Sequence, residues 1–248
     1  MLFSIITVTY NAAGVLAPTL ESVQEQSFRD FEYLVIDGAS TDDTLRLVDD
    51  AQIPTAKVWS EPDKGLYDAM NKAIDRAQGK YLIFLNAGDA FATAETLALI
   101  ARCAEDDPDV IYGQTQLVDS ARNVLGMRHL IAPATLDWRS FKNGMLVCHQ
   151  AFVAKRELCP HYDMSYRFSA DYDWCIKVLR KSDKNAYAGD KPIISFLTDG
   201  LTTQNHKRSL KERYRIMCHY YGTVPTMLRH VKFALRHLGR KLRIKKNH

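Results

Sequence analysis

The chain has 248 residues, 46% of them hydrophobic and 25% charged, a length and composition that allow a buried core and exclude a disordered main body. Its five cysteines form no C-x-x-C pair, and no apolar run approaches the roughly 18 residues of a membrane span, so we expect no disulfides, zinc site or spanning helix, and a cytoplasmic location. The net charge of +4 conceals a segment after residue 206 with 13 Lys and Arg against one acid, so the body itself is acidic.

The first ninety residues alternate apolar runs with helical periodicity. Continuous apolar runs predict buried strands at 3–8, 33–36, 57–60 and 80–85. Apolar side chains at helical spacing predict the helices between them, at 13–26, after the acidic cap at 40–43, and at 66–77. Because crossover helices join parallel strands, these four steps predict a Rossmann-like parallel sheet.

The second half of the chain has a weaker pattern. Strand-like segments lie at 110–118 and 146–153, a helix is predicted at 168–181, and a further strand at 193–197. The segment after residue 206 reads as two helices separated near Gly222 and Pro225. Without an internal repeat or low-complexity linker, we expect one domain over 1–206 and a basic helical tail over 207–248.

Polar residues follow each predicted strand of the first half. These strand ends read Thr9-Tyr10-Asn11, Asp37-Gly38, Glu61-Pro62-Asp63 and Asn86-Ala87-Gly88-Asp89. Ligands of open α/β sheets bind at this edge, and crowded carboxylates there call for a cation or a ligand rich in hydrogen-bond donors. A nucleotide diphosphate with a divalent metal would supply both. Since G-x-G-x-x-G and G-x-x-x-x-G-K-S/T are absent, a dinucleotide dehydrogenase and a P-loop NTPase are disfavoured.

Several ordered motifs resemble the inverting nucleotide-sugar glycosyltransferases of family two. The resemblance is close over residues 3–90, in SIITVTYNAAGVLAPTLESVQEQSFRDFEYLVIDGASTDDT and EPDKGLYDAMNKAIDRAQGKYLIFLNAGD, and looser in HQAFVAKREL and FSADYDWCIKVLRK. It implies a GT-A fold, a Rossmann-like mixed α/β sheet flanked by helices. It also implies inverting transfer of a sugar from a nucleotide diphosphate, with UDP as the expected nucleotide, to a polysaccharide or lipid-linked oligosaccharide. The Q-x-x-R-W motif of the processive synthases is missing, which favours single addition.

The resemblance also implies a donor pocket and a metal site. IFLNAGD occupies the place of the family's D-x-D motif, with Asn86 and Gly88 in place of two carboxylates and Asp89 retained to ligate Mg²⁺ or Mn²⁺. Asp37 would accept a hydrogen bond from the uracil N3–H, and Lys64 could neutralise a phosphate. The predicted donor-binding residues are Thr9, Tyr10, Asn11, Asp37, Glu61, Lys64, Asp68, Asn71, Asn86, Ala87 and Gly88. For Asn71, a solvated helix face is an equally good interpretation.

Inversion requires a general base that deprotonates the acceptor hydroxyl. Asp171, in SADYDWCIKV, falls where the family places that base, on the first turn of a helix, and Asp173 is the reserve candidate. His149 and Gln150 begin a strand-like segment and are predicted to line the acceptor site, although a buried core histidine fits His149 nearly as well. His206 is a further candidate for a diphosphate or metal contact.

Two alternatives and the tail complete the prediction. A nucleotidyltransferase that makes the sugar nucleotide is disfavoured because the N-terminal stretch lacks a glycine-rich loop. A non-catalytic homologue that binds sugar or nucleotide stays an open alternative, because Asn86 and Gly88 replace two carboxylates of the metal motif. The mixed apolar and basic tail favours an interfacial helix on anionic lipid over nucleic acid. We therefore expect peripheral attachment to the inner face of the cell membrane, and no nucleic-acid partner.

Overall fold

The computed structural model describes residues 1–198 and 206–231, with the side chains of residues 206 and 207 outside that description. Its strands and helices alternate through the first half of the chain, whereas in the second half short 3₁₀ segments stand among them. The strands are β1 Phe3–Thr9, β2 Phe31–Asp37, β3 Ala56–Ser60, β4 Tyr81–Phe84, β5 Ala90–Phe91, β6 Val110–Val118, β7 Val124–Met127, β8 Phe152–Lys155 and β9 Asn185–Leu197. The helices are α1 Ala13–Gln24, α2 Thr44–Asp50, α3 Leu66–Arg76, α4 Thr96–Ala104, α5 Ala170–Leu179 and α6 His206–Tyr221.

All nine strands belong to one mixed sheet in the order β3-β2-β1-β4-β8-β6-β9-β5, with β7 paired to β6. The first four strands are parallel, and β1 and β2 are buried along their whole length, which explains their uninterrupted apolar runs. The predicted Rossmann-like half is therefore confirmed. Since all four strands point the same way, their polar carboxyl ends lie at one edge of the sheet.

The second half of the sheet is mixed. Strand β8 is antiparallel to both β4 and β6, whereas β9 runs parallel to β6. The predicted strand over 146–153 is wrong in its first part, because His149–Ala151 forms a 3₁₀ turn and β8 begins at Phe152. Long-range contacts decide this segment: His149 bonds Tyr162 and Gln150 bonds Asp89, neither of which local periodicity reveals.

Helix α6 packs into the core although it falls in the predicted tail. Ile216 and Met217 are buried on the side facing the body. The hydroxyl of Tyr220 donates to the Asp173 carboxylate at 2.8 Å, and Glu212 accepts from the backbone N–H groups of residues 167 and 168. The domain boundary at residue 206 stays a prediction, and residues 232–248 of the basic tail lie outside the described residues. No helix within the described residues is long and apolar enough to cross a membrane.

Candidate active site

The carboxyl ends of β1, β2 and β3 are tied together by the Asp37 carboxylate. The register of the parallel strands places Thr9 beside Asp37 and Asp37 beside Ser60. Both hydroxyls donate to Asp37, at 2.8 Å from Thr9 and 2.7 Å from Ser60, and Ser40 adds its N–H and its hydroxyl. Burial would raise the pKa of Asp37, but these hydrogen bonds outweigh it and leave the pKa below its ordinary value. Asp37 is therefore an anionic clamp on this edge of the sheet.

The loops after β1 and β2 are fixed to each other by Asn11. Its backbone N–H donates to the Ser40 hydroxyl at 2.8 Å, and its side-chain oxygen accepts from the N–H of Thr41 at 2.9 Å. Asn11 has φ of +48°, a left-handed conformation that asparagine tolerates better than most residues. The ring of Tyr10 stays 68% exposed beside this clamp and is free to contact a ligand.

A cavity of about 900 Å³ opens next to these loops, between the sheet edge, α3, α5 and α6. Six of the predicted site residues line it: Tyr10, Lys64, Asn86, His149, Gln150 and Asp171. Asp171 lies on the first turn of α5, as predicted, and accepts a hydrogen bond of 3.2 Å from the hydroxyl of Tyr67. This is the one side-chain hydrogen bond to Asp171 within the described residues. Among the described residues, Asp171 is therefore the single carboxylate that lines the cavity.

Positive charge dominates the cavity wall. It is lined by Lys64, Arg128, Arg167 and Arg213, against Asp171 as the one acidic residue among those that the structure describes. Arg128 precedes the 3₁₀ segments and Arg213 lies on α6, so neither belongs to a motif found in the sequence. A lone arginine has no local pattern, and Arg213 contributed only to the net charge of the predicted tail. Of the four cations, the sequence therefore indicated only Lys64, and the three arginines are the part of the site that it did not reveal.

Asp89 lies behind the cavity and is buried. Its two carboxylate oxygens accept from the backbone N–H of Leu197 at 2.9 Å and from the side-chain amide of Gln150 at 2.7 Å. Burial raises the pKa of Asp89 to about 7, against the lowering effect of these hydrogen bonds. Gly88 has φ of +95°, and a Cβ there would lie 2.9 Å from Cδ2 of Leu197. Packing against β9 therefore requires glycine at the position of the missing middle carboxylate.

Two neighbours of Asp89 reach the cavity. The Oδ1 atom of Asn86 is buried and has no hydrogen-bond partner within 1–198 or 206–231, so it could accept from a ligand hydroxyl. Gln150 is buried and joins Asp89 to the thiol of Cys148, which donates to the Gln150 side-chain oxygen at 2.9 Å. This part of the wall offers an unsatisfied acceptor and a neutral amide rather than a carboxylate.

His149 sits in an aromatic cluster at the floor of the cavity. Its ring contacts Phe84, Tyr162 and Trp174 with centroids 5.2 to 5.8 Å apart, and its Nε2 lies 2.8 Å from the Tyr162 hydroxyl. Burial lowers the pKa of His149 to about 4, so the imidazole is neutral at physiological pH. His149 lines the cavity, as expected of an acceptor-site residue, and it is also buried, as expected of a core histidine.

Three predicted donor residues on or before α3 have protein partners. Glu61 pairs with Arg76 at 3.2 Å, and Asp68 accepts from the N–H of Lys64 at 3.0 Å. The Asn71 amide bonds both the N–H and the C=O of Tyr162, at 2.6 and 3.1 Å, and so holds the segment before α5. The reserve base Asp173 is also occupied, by Tyr220 and by Lys177 at 2.6 Å, and does not line the cavity. The side chain of His206 lies outside the described residues.

Comparison with known proteins identifies the family. Residues 4–162 match the family model described as Glycosyl transferase family 2. The chain belongs to this family. A curated family relative, the PGL/p-HBAD biosynthesis glycosyltransferase of Mycobacterium tuberculosis, is 36% identical over 184 residues, which cover 71% of this chain and 69% of the relative. The protein is accordingly a glycosyltransferase, and this conclusion makes the nucleotidyltransferase alternative the weaker one.

Solved structures agree on the fold. TarS of S. aureus in complex with UDP-GlcNAc superposes with a TM-score of 0.70 at 21% identity, covering 88% of this chain, and the chain spans 64% of the length of that structure. The mannosyltransferase PcManGT of Pyrobaculum calidifontis, in complex with GDP-Man and Mn²⁺, gives a TM-score of 0.59 at 16% identity. The similarity to these two glycosyltransferases confirms the GT-A fold that was expected for this protein.

GT-A glycosyltransferases typically use a divalent metal, as the PcManGT complex illustrates. In this family member, Asp89 has both oxygens engaged by Leu197 and Gln150, and it does not line the cavity. No group of three or more His, Cys, Asp or Glu side chains within the described residues could hold a metal ion. The donor set around Asp89 therefore does not fit Mg²⁺ or Mn²⁺ as it stands, and the metal assignment of Asp89 stays a prediction.

Proposed function

We propose that the protein transfers one sugar, with inversion, from a UDP-linked sugar to a glycan or lipid-linked oligosaccharide, and that Asp171 is the general base. The observation that carries this proposal is the position of Asp171, the single carboxylate that the described residues place on the wall of the cavity of about 900 Å³. A cavity of this size accommodates a nucleotide sugar. The family supports sugar transfer, whereas the stereochemistry, donor and acceptor are proposed.

The base must accept a proton while the acceptor oxygen attacks the anomeric carbon from the side opposite the leaving diphosphate. Asp171 is suited to this because one oxygen receives the Tyr67 hydrogen bond, which orients the carboxylate, and no described side chain donates to its other oxygen, which we propose receives the acceptor hydroxyl. His149, which is neutral and bonded to Tyr162, cannot substitute as readily because its pKa is lowered to about 4. We place His149 and Gln150 on the acceptor side as lining residues.

The donor is proposed to lie along the strand-end edge. The exposed ring of Tyr10 offers a stacking surface for the base, next to the loops that Asn11 and Thr9 hold in place. Both carboxylate oxygens of Asp37 already accept hydrogen bonds from serine hydroxyls. Asp37 could therefore accept a hydrogen bond from the uracil N3–H only after one of these hydroxyls has moved away. Asn86 offers its unpaired Oδ1 to a sugar hydroxyl, with the backbone of residues 87 and 88 beside it.

The class of acceptor is inferred from the relatives. The mycobacterial relative is named for PGL/p-HBAD biosynthesis, which points to cell-envelope glycan or glycolipid assembly. We extend this to the present chain as a proposal: a surface polysaccharide or a lipid-linked oligosaccharide receives the sugar. Such acceptors are found at membranes, and that location gives the C-terminal segment a role.

The helical residues 223–231 are proposed to contact the membrane surface. Val224, Met227, Leu228 and Val231 recur at helical spacing, and each is more than 50% exposed. This apolar stripe leads into the most basic part of the sequence, which adds attraction to anionic lipid. Removing residues 223–248, so that α6 stays in place, should release the protein from anionic vesicles. Unchanged sedimentation with the vesicles would reject this proposal.

The decisive experiment measures nucleotide release from a panel of UDP- and GDP-sugars with a membrane glycolipid fraction as acceptor. Turnover of one UDP-sugar, with a product of inverted anomeric configuration by NMR, is expected. Formation of a nucleotide sugar from a sugar phosphate and a nucleoside triphosphate would instead support the nucleotidyltransferase alternative. Nucleotide binding without any turnover would support a non-catalytic homologue.

A further inference from the structure

The cavity has an excess of positive charge that the proposed catalytic base does not balance. Of its charged lining residues in the part of the chain that the structure describes, Lys64, Arg128, Arg167 and Arg213 are cationic and only Asp171 is anionic. Lys64 and Arg167 are exposed to solvent, so their charges are screened. Arg128 and Arg213 are half-buried, so solvent and salt screen their charges less. These two arginines are the centre of the excess.

Neither of the two guanidinium groups has a carboxylate partner within the described residues. Arg213 Nε is buried and has no hydrogen-bond partner among the described residues, where Arg128 makes only two long contacts of 3.4 Å, to the carbonyl oxygens of Leu130 and Leu146. Burial is the main cause that lowers the pKa of Arg128; the charge of Arg213 adds to this, whereas Cys148 and the charge of Asp171 act in the opposite direction without cancelling it. Two like charges facing one cavity, with unused donors, form a site for a multiply charged anion.

The region around Asn86 and Asp89 has too few free carboxylates to bind a divalent metal. Asn86 and Gly88 are not acidic, and Asp89 is engaged by Leu197 and Gln150. A leaving diphosphate still requires positive charge beside it, because negative charge accumulates on it as the sugar departs. The arginines supply that charge within the same cavity as Asp171.

We propose that Arg128 and Arg213 bind the diphosphate of the donor and neutralise it in the role that a divalent cation has in metal-dependent relatives. The proposal rests on the proposed function and adds the residues that hold the leaving group. Two guanidinium forks offer bidentate donors to both phosphates, whereas Lys64 and Arg167 would contribute at the open side. Binding of the diphosphate then requires no metal.

The probe for this site is inorganic pyrophosphate, which carries the diphosphate without base or sugar. Calorimetric titration of the full chain in EDTA should detect binding, and Arg213→Gln and Arg128→Gln should each weaken it by about tenfold or more. Arg213→Lys should weaken it less than Arg213→Gln, because charge remains but the planar fork is lost. The matched control is Arg102→Gln, an exposed arginine on α4, which should bind pyrophosphate as the wild type does.

Thermal unfolding without ligand separates this role from a structural one. Arg213→Gln should melt at the same temperature as the wild type or higher, since it relieves repulsion between unpaired charges, whereas a structural arginine would lower the melting temperature when replaced. Pyrophosphate binding that needs Mn²⁺, or that survives both arginine substitutions, would overturn the proposal even if sugar transfer is observed. Arginine-dependent pyrophosphate binding without turnover of any nucleotide sugar would support the site while rejecting the proposed function.

Discussion

The hydroxyl of Tyr67 on α3 donates a hydrogen bond of 3.2 Å to the carboxylate of Asp171 on α5, joining two residues that lie 104 positions apart. Tyr67 is buried and stacks on Tyr162, with ring centroids 5.5 Å apart. Burial raises the pKa of Tyr67 well above its ordinary value, and the charge of Asp171 adds to this, so the phenol stays a donor. Helix α3, which belongs to the parallel half of the fold, thereby orients the proposed base on α5.

Tyr67→Phe removes this hydrogen bond and keeps the ring stacked on Tyr162. We expect the rate of transfer to fall by about tenfold, as the loss of one hydrogen bond to a charged group implies. The Michaelis constant for the donor should change little, because Tyr67 acts on the base. Steady-state kinetics with a saturating acceptor measure both values, and a wild-type rate would show that Asp171 needs no orientation by Tyr67.

Stability should depend on His149 at acidic pH. The pKa of this buried imidazole is lowered to about 4 from an ordinary value of 6.5, so the unfolded chain binds a proton that the folded chain does not between these two pH values. The free energy of unfolding should therefore fall as pH falls from about 6.5 to about 4, by about 3 kcal/mol from this residue.

His149→Gln should flatten this part of the stability curve, measured by urea unfolding at pH 4.5 and pH 7. The matched control is His161→Gln, since His161 is exposed and pairs with Asp75 at the surface. Equal pH dependence in the wild type and in His149→Gln would mean that His149 is not held neutral by burial.

Gly88→Ala should destabilise the protein by about 1–3 kcal/mol, because alanine is strained at positive φ and its Cβ would press on Leu197. Gly189→Ala is the matched control: Gly189 has the same φ of +95° but no atom within 4 Å of the added Cβ. Chemical denaturation measures both variants. A smaller effect at position 88 than at position 189 would contradict the packing explanation for glycine in the N-A-G-D motif.

The sequence predicted the parallel half of the fold because its signals there are local. Continuous apolar runs marked β1 and β2, and the apolar face of α3 repeats at helical spacing, so the observed bounds differ from the predicted ones by only a few residues. Their polar carboxyl ends then placed Asp37 at the correct edge. The prediction failed where distant partners determine the local structure: His149–Ala151 was predicted as part of a strand and forms a 3₁₀ turn.

The site was predicted in part for the same reason. Asp171 stands in a recognisable motif at the start of a helix and does line the cavity. The sequence could not indicate that Asp89 is buried behind Gln150, because that depends on β9 reaching Leu197, far along the chain. Nor could it indicate Arg213, although the buried Ile216 and Met217 nearby are a signal that α6 belongs to the body.

The most direct test of the proposed mechanism is Asp171→Asn, compared with the wild type in transfer and in UDP binding. The amide keeps the shape of the carboxylate but cannot accept the acceptor's proton, so transfer should fall by about a hundredfold or more while the dissociation constant for UDP stays within about twofold. Asp173→Asn serves as the comparison, because Asp173 bonds Tyr220 and does not line the cavity. Transfer at the wild-type rate by Asp171→Asn would contradict the assignment of the base.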